Sequence, residues 1–242
     1  MAIKQDWPLD SSTLDNPVWS SLSGPHQNIA GRLQDLLWYP PPVAPFAAVP
    51  TADTLPDLDS AVRLGLGEQV YFVGGCPNTL PTGWRMVSRS NILQLFPAGE
   101  IPEADEGGGI VLGEGDRIAM RDLTRIAFPD FFRERTAELG LYLGIYDGEK
   151  LIAMAGERMT LEGLQEISGV CTHPDHAGRG HARRLTRALL SRHKRRGVRS
   201  FLHVSESNMA ARRLYESMGF VVRASLPMCK VGRVDLDFGG RP

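Results

Sequence analysis

The chain has 242 residues, with 27 Lys plus Arg against 28 Asp plus Glu and a formal net charge of −1. That length suits one large domain or two small ones, and 42% hydrophobic with 23% charged residues is ordinary for a globular protein. The balanced charge makes no case for a nucleic-acid or membrane protein. Three cysteines, Cys76, Cys171 and Cys229, are odd in number and widely spaced, with no Cys-x-x-Cys. They argue against a disulfide framework or a cysteine zinc site and suit a reducing cytoplasm. The first residues lack the apolar core of a signal peptide, no apolar run is long enough to cross a bilayer, and no repeat is seen. A cytoplasmic location is expected.

In chain order, the first predicted element is a helix with Ile29, Leu33, Leu36 and Leu37 on one face, stopped by "YPPPVAPF". "EQVYFVGGCP" reads as a strand ending in a Gly-Gly turn, and "WRMVSRSNILQLF" as a strand or short helix. Three glycines at 107 to 109 follow acidic residues and make the best boundary, so residues 1–108 and 109–242 are expected as separate domains. Beyond it come a short strand "GIVLGEGD", a helix "DRIAMRDLTRIAF", and a second short helix "PDFFRERTAELG" closed by Gly140. "LYLGIY" and "LIAMAGERM" read as a hairpin through Asp147-Gly148, and "LQEISGVCTH" as a third strand. Then follow the helix "GRGHARRLTRALLSRHKRRG", the strand "RSFLHVS", and a helix "NMAARRLYESMG" capped by Ser207 or Asn208. Two final strands, "FVVRASL" and "MCKVGRVDLDF", complete a mixed sheet flanked by helices, in an α+β or α/β arrangement.

The stretch "THPDHAGRGHARRL" puts Gly178 and Gly180 between a strand and a helix start. The first N–H groups of a helix have no partner inside it, and the helix dipole adds positive charge there. Glycines keep side chains out of the way, so a phosphate can approach the backbone. Ala182 keeps the next site small, and Arg179, Arg183 and Arg184 add charge at the rim. Two glycines alone fit a plain turn equally well. The loop lacks the Gly-Lys-Ser/Thr ending of a P-loop and the third glycine of a dinucleotide fingerprint.

From about Gly109 onward, the chain resembles the GNAT N-acetyltransferase superfamily. The family's "R/Q-x-x-G-x-G/A" loop corresponds to Ala177, Gly178, Arg179, Gly180, His181 and Ala182, and "NMAARRLYESMGF" matches its second hallmark. The details "SGVCTHPDHAGRGHA" and "FLHV" look similar to a bacterial branch near the glycine N-acyltransferases. Ala177 departs from the usual Arg or Gln, which leaves His176 or Arg179 to supply a donor. The resemblance implies a GNAT fold, acetyl-CoA as co-substrate and transfer of its acetyl group to the amine of a small molecule or amino acid. A non-catalytic acyl-CoA-binding or regulatory module is the alternative, favoured by Ala177. The first hundred residues would be a degenerate copy of the fold or a structural part. The protein would be a monomer or a homodimer.

The same resemblance assigns site residues. Glu166 is the candidate base, the alternative being a surface glutamate on a strand edge, and Glu157 is the second choice. Tyr215 is the candidate acid, since a phenol near ~10 can protonate a thiolate whose thiol lies near ~8.5; otherwise it is a core aromatic. The backbone of Val170, Cys171 and Thr172 would bond the pantetheine arm along an open strand edge. Arg183 would join the loop's cofactor contacts. Asn208 either contacts the cofactor or caps its helix. Cys171 as a nucleophile is a minor reading, because buried cysteines are usually packing residues. His173 and His176 lack a carboxylate to complete a metal set, so no metal is expected. His203 either faces the acyl site or packs hydrogen-bonded. Nine Lys or Arg residues between Arg179 and Arg199 read as a solvated helix face without the aromatics of a nucleic-acid site. On the acceptor side, Phe128, Phe131 and Phe132 would form an apolar wall, with Arg133 and Arg135 for a carboxylate. The opposite arrangement, phenylalanines inside and arginines in water, fits the pattern as well.

Overall fold

The computed structural model describes residues 12–99, 108–127, 129 and 131–234. These fall into two compact units. Of the described residues, one unit holds those of Ser12–Pro41, Pro45–Asn91 and 226–234; the other holds those of Pro42–Ala44 and Ile92–Ser225. The grouping by contact therefore differs from the linear division at residue 108. Residues 92–97 pack with the later part of the chain, and residues 226–234 return to the earlier part.

The first unit carries α1 (Ser12–Asp15), α2 (Pro17–Ser23), the strands β1 (Gly31–Leu33), β2 (Leu36–Trp38) and β3 (Ala47–Ala48), then α3 (Leu58–Arg63) and β4 (Gln69–Val73). The helix expected over residues 29–37 does not form; a hairpin stands there, with Gly31 opposite Trp38 and Gln34 at φ 51° in its turn. Its cause is packing. A Cβ at Gly31 would lie 2.2 Å from the Trp38 indole, and Leu36, Leu37 and Trp38 are all buried, which a one-sided helix would not achieve.

The second unit is built on the latter part of β5 (Trp84–Pro97), then β6 (Ile110–Val111), α4 (Arg117–Ala127), β7 (Tyr142–Asp147), β8 (Lys150–Leu161), β9 (Leu164–Thr172), α5 (His181–Arg195), β10 (Arg199–Ser205), α6 (Met209–Ser217) and the first part of β11 (Phe220–Arg233). The strand order there is β11-β5-β10-β9-β8-β7-β6. β10 and β9 are parallel, while β8 is antiparallel to β9 and β7, so the sheet is mixed. The expected final pair of strands is one continuous strand, β11, whose residues Met228–Gly232 pair with β4. The second short helix expected at "PDFFRERTAELG" shrinks to a single 3-10 turn, Thr136–Leu139. Thr136 explains this. Its hydroxyl accepts the Arg133 N–H at 2.6 Å and donates to the Val43 carbonyl at 2.6 Å, a local alternative to helical bonding.

Alternation along the strands sorts the core into two faces. Leu143, Ala153, Ala155, Ile167, Leu202 and Val204 pack with Leu185 and Leu189 of α5 and with Tyr215 of α6. Tyr142, Met154 and Cys171 pack with Met120 and Leu123 of α4. Between the faces lies a fork. β9 pairs with β10 only from Leu164↔Arg199 to Ile167↔Leu202, while β10 goes on to pair with β5 through Ser205↔Ile92. On its other side β9 carries a bulge. Gly156 faces Ser168 and Met154 faces Cys171, so Gly169 and Val170 together oppose Ala155. Gly169 sits at φ 61°, and a bulge of this kind bends its strand.

Candidate active site

The loop between β9 and α5 is open. His173 Nδ1 accepts the Asp175 N–H at 3.3 Å and starts a 3-10 turn, Pro174–His176. Ala177 follows extended, its N–H bonded to the Pro174 carbonyl at 3.1 Å. Gly178 and Gly180 have φ of 74° and 79°, in the left-handed region that favours glycine. A Cβ at either position would meet nothing within 4 Å. Gly180 caps the 15-residue helix α5 without any side-chain hydrogen bond. The first-turn N–H groups and the positive end of the helix dipole are therefore presented at a clear surface, which suits a phosphate-bearing ligand.

Side chains at the rim are more committed than the loop itself. Arg183 donates to Ser217 Oγ at 2.6 Å, which ties it to the end of α6, and Arg179 reaches the Asp175 carbonyl at 3.4 Å. His176 Nδ1 and His181 Nε2 are sealed from solvent without a hydrogen-bond partner. Burial, then the charges of His176, Arg179 and Arg184, lower the His181 pKa below the ordinary imidazole value. Ala182 is the second residue of α5, and its methyl is the smallest side chain in the helix's first turn.

The fork leaves a second open surface. Beyond Ile167 the β10 side of β9 has no strand pairing, so the edge of Ser168–Thr172 is free for another extended chain. Val170 and Thr172 are half-buried there, and Cys171 points into the α4-side core. Burial pushes the Cys171 thiol up to about 12, against a small opposing effect of the Met154 backbone, so it does not ionise near neutrality. Tyr215 is 6% exposed and packs on Phe220 at 5.6 Å between ring centroids. Burial, then the neighbouring Cys171, raise its phenol well above the ordinary range, so it keeps its proton. Asn208 caps α6: its side-chain oxygen accepts the Ala211 N–H at 3.1 Å.

The two carboxylates are both enclosed. Glu166 is 0% exposed. Arg158 donates to it through Nε at 2.9 Å and Nη2 at 2.6 Å, Met159 N–H at 3.1 Å, and His203 Nδ1 lies at 2.8 Å. Burial alone would raise Glu166, but the Arg158 charge and hydrogen bonds, with His203, outweigh it and hold the carboxyl far below the usual range. Glu157 is buried as well. Burial raises it, and the His193 hydrogen bond at 3.0 Å, the Leu141 N–H at 3.1 Å and Arg196 at 2.6 Å bring the net shift down. Neither carboxylate has the exposed edge that the surface-glutamate alternative supposed.

On the acceptor side, Phe132 is half-buried and stands edge-on to Tyr142 at 5.6 Å. Phe131 is half-buried, and Phe128 lies outside the described residues. Arg135 is exposed but bonded to Glu138 at 2.7 Å, while Arg133 is exposed. His203 is packed and hydrogen-bonded. Sequence reasoning missed Arg158, Gln94 and Arg223 around it. Arg158 was findable: a lone charged pair, Glu157-Arg158, interrupts an apolar strand opposite the equally lone Glu166. Gln94 and Arg223 come from distant strands and carried no local signal.

A family model described as FR47-like protein matches residues 142–226. A solved structure assigned to the GNAT family of acetyltransferases, from Novosphingobium aromaticivorans, is 34% identical, with 91% of this chain and 98% of that chain covered at a TM-score of 0.82. A GCN5-related N-acetyltransferase from Kribbella flavida, 16% identical, covers 92% of this chain and 96% of its own at 0.58, a likeness of fold. No curated protein matches the sequence.

Proposed function

Because the chain belongs to the GNAT superfamily of acetyltransferases, we propose that it moves an acetyl group from acetyl-CoA to the amine of a small molecule or amino acid. The observation that carries this reading is the clear helix start at Gly178–Ala182, which no side chain caps, beside the unpaired edge of β9. Acetyl-CoA supplies an activated acyl group. The loop amides hold its pyrophosphate, and the backbone of Val170, Cys171 and Thr172 aligns its amide-bearing arm along the strand edge. Arg179 adds charge at the rim, and Arg183 acts by fixing α5 to α6.

Tyr215 holds its proton at every working pH and offers it to the sulfur that leaves. Its raised pKa makes it a hydrogen-bond donor to that sulfur, stabilising charge as it develops. The acceptor must present a neutral amine, which for a lysine-like amine costs on the order of 4–5 kcal/mol at pH 7. An anionic acceptor such as an amino acid would draw its carboxylate to Arg133, which is exposed, rather than to Arg135, which Glu138 holds.

Calorimetric titration with acetyl-CoA, desulfo-CoA and ATP tests the reading. Binding of the first two with little for ATP supports it. No binding of any would remove the CoA site.

A further inference from the structure

We propose that Glu166 and His203 form a pin that holds β9 to β10 at the fork and thereby sets affinity for the acyl-CoA, and that neither takes the acceptor's proton. The pin rests on the CoA reading above for its link to affinity, but its structural part can be tested without ligand.

The hydrogen-bond directions follow from donor chemistry alone. Arg223 can only donate, and its Nη1 lies 2.9 Å from Gln94 Oε1. Gln94 therefore turns its Nε2 amide toward His203 Nε2, 3.1 Å away, and that ring nitrogen accepts. The ring's proton is then on Nδ1, which donates to Glu166 Oε1 at 2.8 Å. Glu166 receives this bond together with two from Arg158 and one from the Met159 N–H. A carboxylate has about four such acceptor positions, so its capacity is used. Both ring nitrogens of His203 are likewise engaged, and its side chain is 4% exposed.

A general base must reach the proton it removes, directly or through one water. Glu166 meets neither condition: it is sealed, saturated and held strongly ionised by Arg158. Its position suits another task. The last paired residues of the two strands are Ile167 and Leu202, and Glu166 and His203 lie immediately on either side of that pair. The residues that follow on β9 are the free edge. The bulge at Gly169 bends β9, while β10 continues to β5. The side-chain bond from His203 to Glu166 is thus the final cross-strand tie before the strands part. Losing it lets the fork creep open toward Leu164 and blurs the edge that aligns the ligand.

The experiment compares the wild type with His203→Ala, His203→Gln and Glu166→Gln. Nitrogen-15 NMR of the unliganded wild type should show His203 as the Nδ1–H tautomer. Amide exchange in residues 164–172 should speed up in His203→Ala, and His203→Gln, which keeps a donor for Glu166, should restore part of the protection. With acetyl-CoA, His203→Ala should weaken binding about tenfold, the scale of a hydrogen bond to a charged group, with kcat at saturation and its pH profile little changed. His203→Gln remains informative if the alanine variant does not fold. Unchanged exchange in both His203 variants, or the other tautomer, overturns the pin. Unchanged acetyl-CoA affinity with a collapsed kcat in Glu166→Gln overturns it in favour of a base. If the wild type binds no acetyl-CoA, the CoA reading fails, and the exchange result still decides the pin.

Discussion

The two halves of β9 stand side by side and behave as opposites. From Leu164 to Ile167 the strand runs between β10 and β8, and its one charged residue, Glu166, has every acceptor position used. From Ser168 to Thr172 it is paired on one side and runs into a loop where a Cβ at Gly178 or Gly180 would touch nothing. In the first half the polar groups satisfy one another, and the result is rigidity. In the second half backbone groups are left over, and left-over groups are what a ligand can use. A charged residue in a buried strand is thus not by itself a sign of chemistry; what matters is whether anything remains for a substrate to bond.

The largest expected effect breaks the closed half. Arg158→Met leaves Glu166 buried without its counter-charge, and removing one partner of a buried pair costs about 3–5 kcal/mol. Urea denaturation measures it; a loss below about 1 kcal/mol, the scale of a surface pair, would mean that the cluster is not sealed. The depressed carboxylates also set an acid limb. A group whose pKa is lower folded than unfolded adds stability above its unfolded value, which is lost as pH falls toward the folded one. Stability should therefore decline below about pH 4.5, and Glu157→Gln, which removes one such group, should flatten that decline in a pH series of denaturation curves.

Tyr215→Phe comes next and concerns the open half. If the phenol stabilises the leaving sulfur, kcat should fall about 10²-fold, the low end for a positioned proton donor, with acetyl-CoA affinity nearly unchanged. Equal turnover in a steady-state assay returns Tyr215 to the core, where its contact with Phe220 already accounts for its burial. Gly180→Asp is smaller. It sets an anion and a left-handed non-glycine residue at the helix start, and backbone strain there costs about 1–2 kcal/mol before any ligand is repelled. Acetyl-CoA affinity should drop by about tenfold or more, read by calorimetry. An unaltered affinity would mean that the clear loop is only a turn.

The open half was legible in the sequence because its cause is local. Gly178, Gly180 and the helix start lie within a few residues of each other, and so do Asn208 and the helix it caps. The succession of strands and helices after residue 140 and the Asp147-Gly148 hairpin were read for the same reason, since turn chemistry and apolar alternation are short-range. Beyond the lone charges of Arg158 and Glu166 on facing strands, the closed half was not legible. Gln94, Glu166, His203 and Arg223 meet through register between strands far apart in the chain, which no window of residues displays. The two expected helices that do not form have a related origin. Residues 29–37 have helical apolar spacing, but Trp38 needs the bare Gly31 beneath it, and Thr136 prefers a bond to Val43, 93 positions away.

Asn208→Ala is the smallest expected change and serves as the control for the comparison. Asn208 belongs to neither half of β9, yet family resemblance offers it as a ligand contact. Its oxygen is occupied by the Ala211 N–H at 3.1 Å, which is ordinary N-capping, and the loss of such a cap costs about 1 kcal/mol. Denaturation should show that loss while acetyl-CoA affinity stays put. If affinity falls along with stability, the helix start of α6 shares in holding the ligand, and the ligand surface extends beyond the edge of β9 and its loop. If stability is unchanged, water replaces the cap at no cost, and Asn208 has neither role.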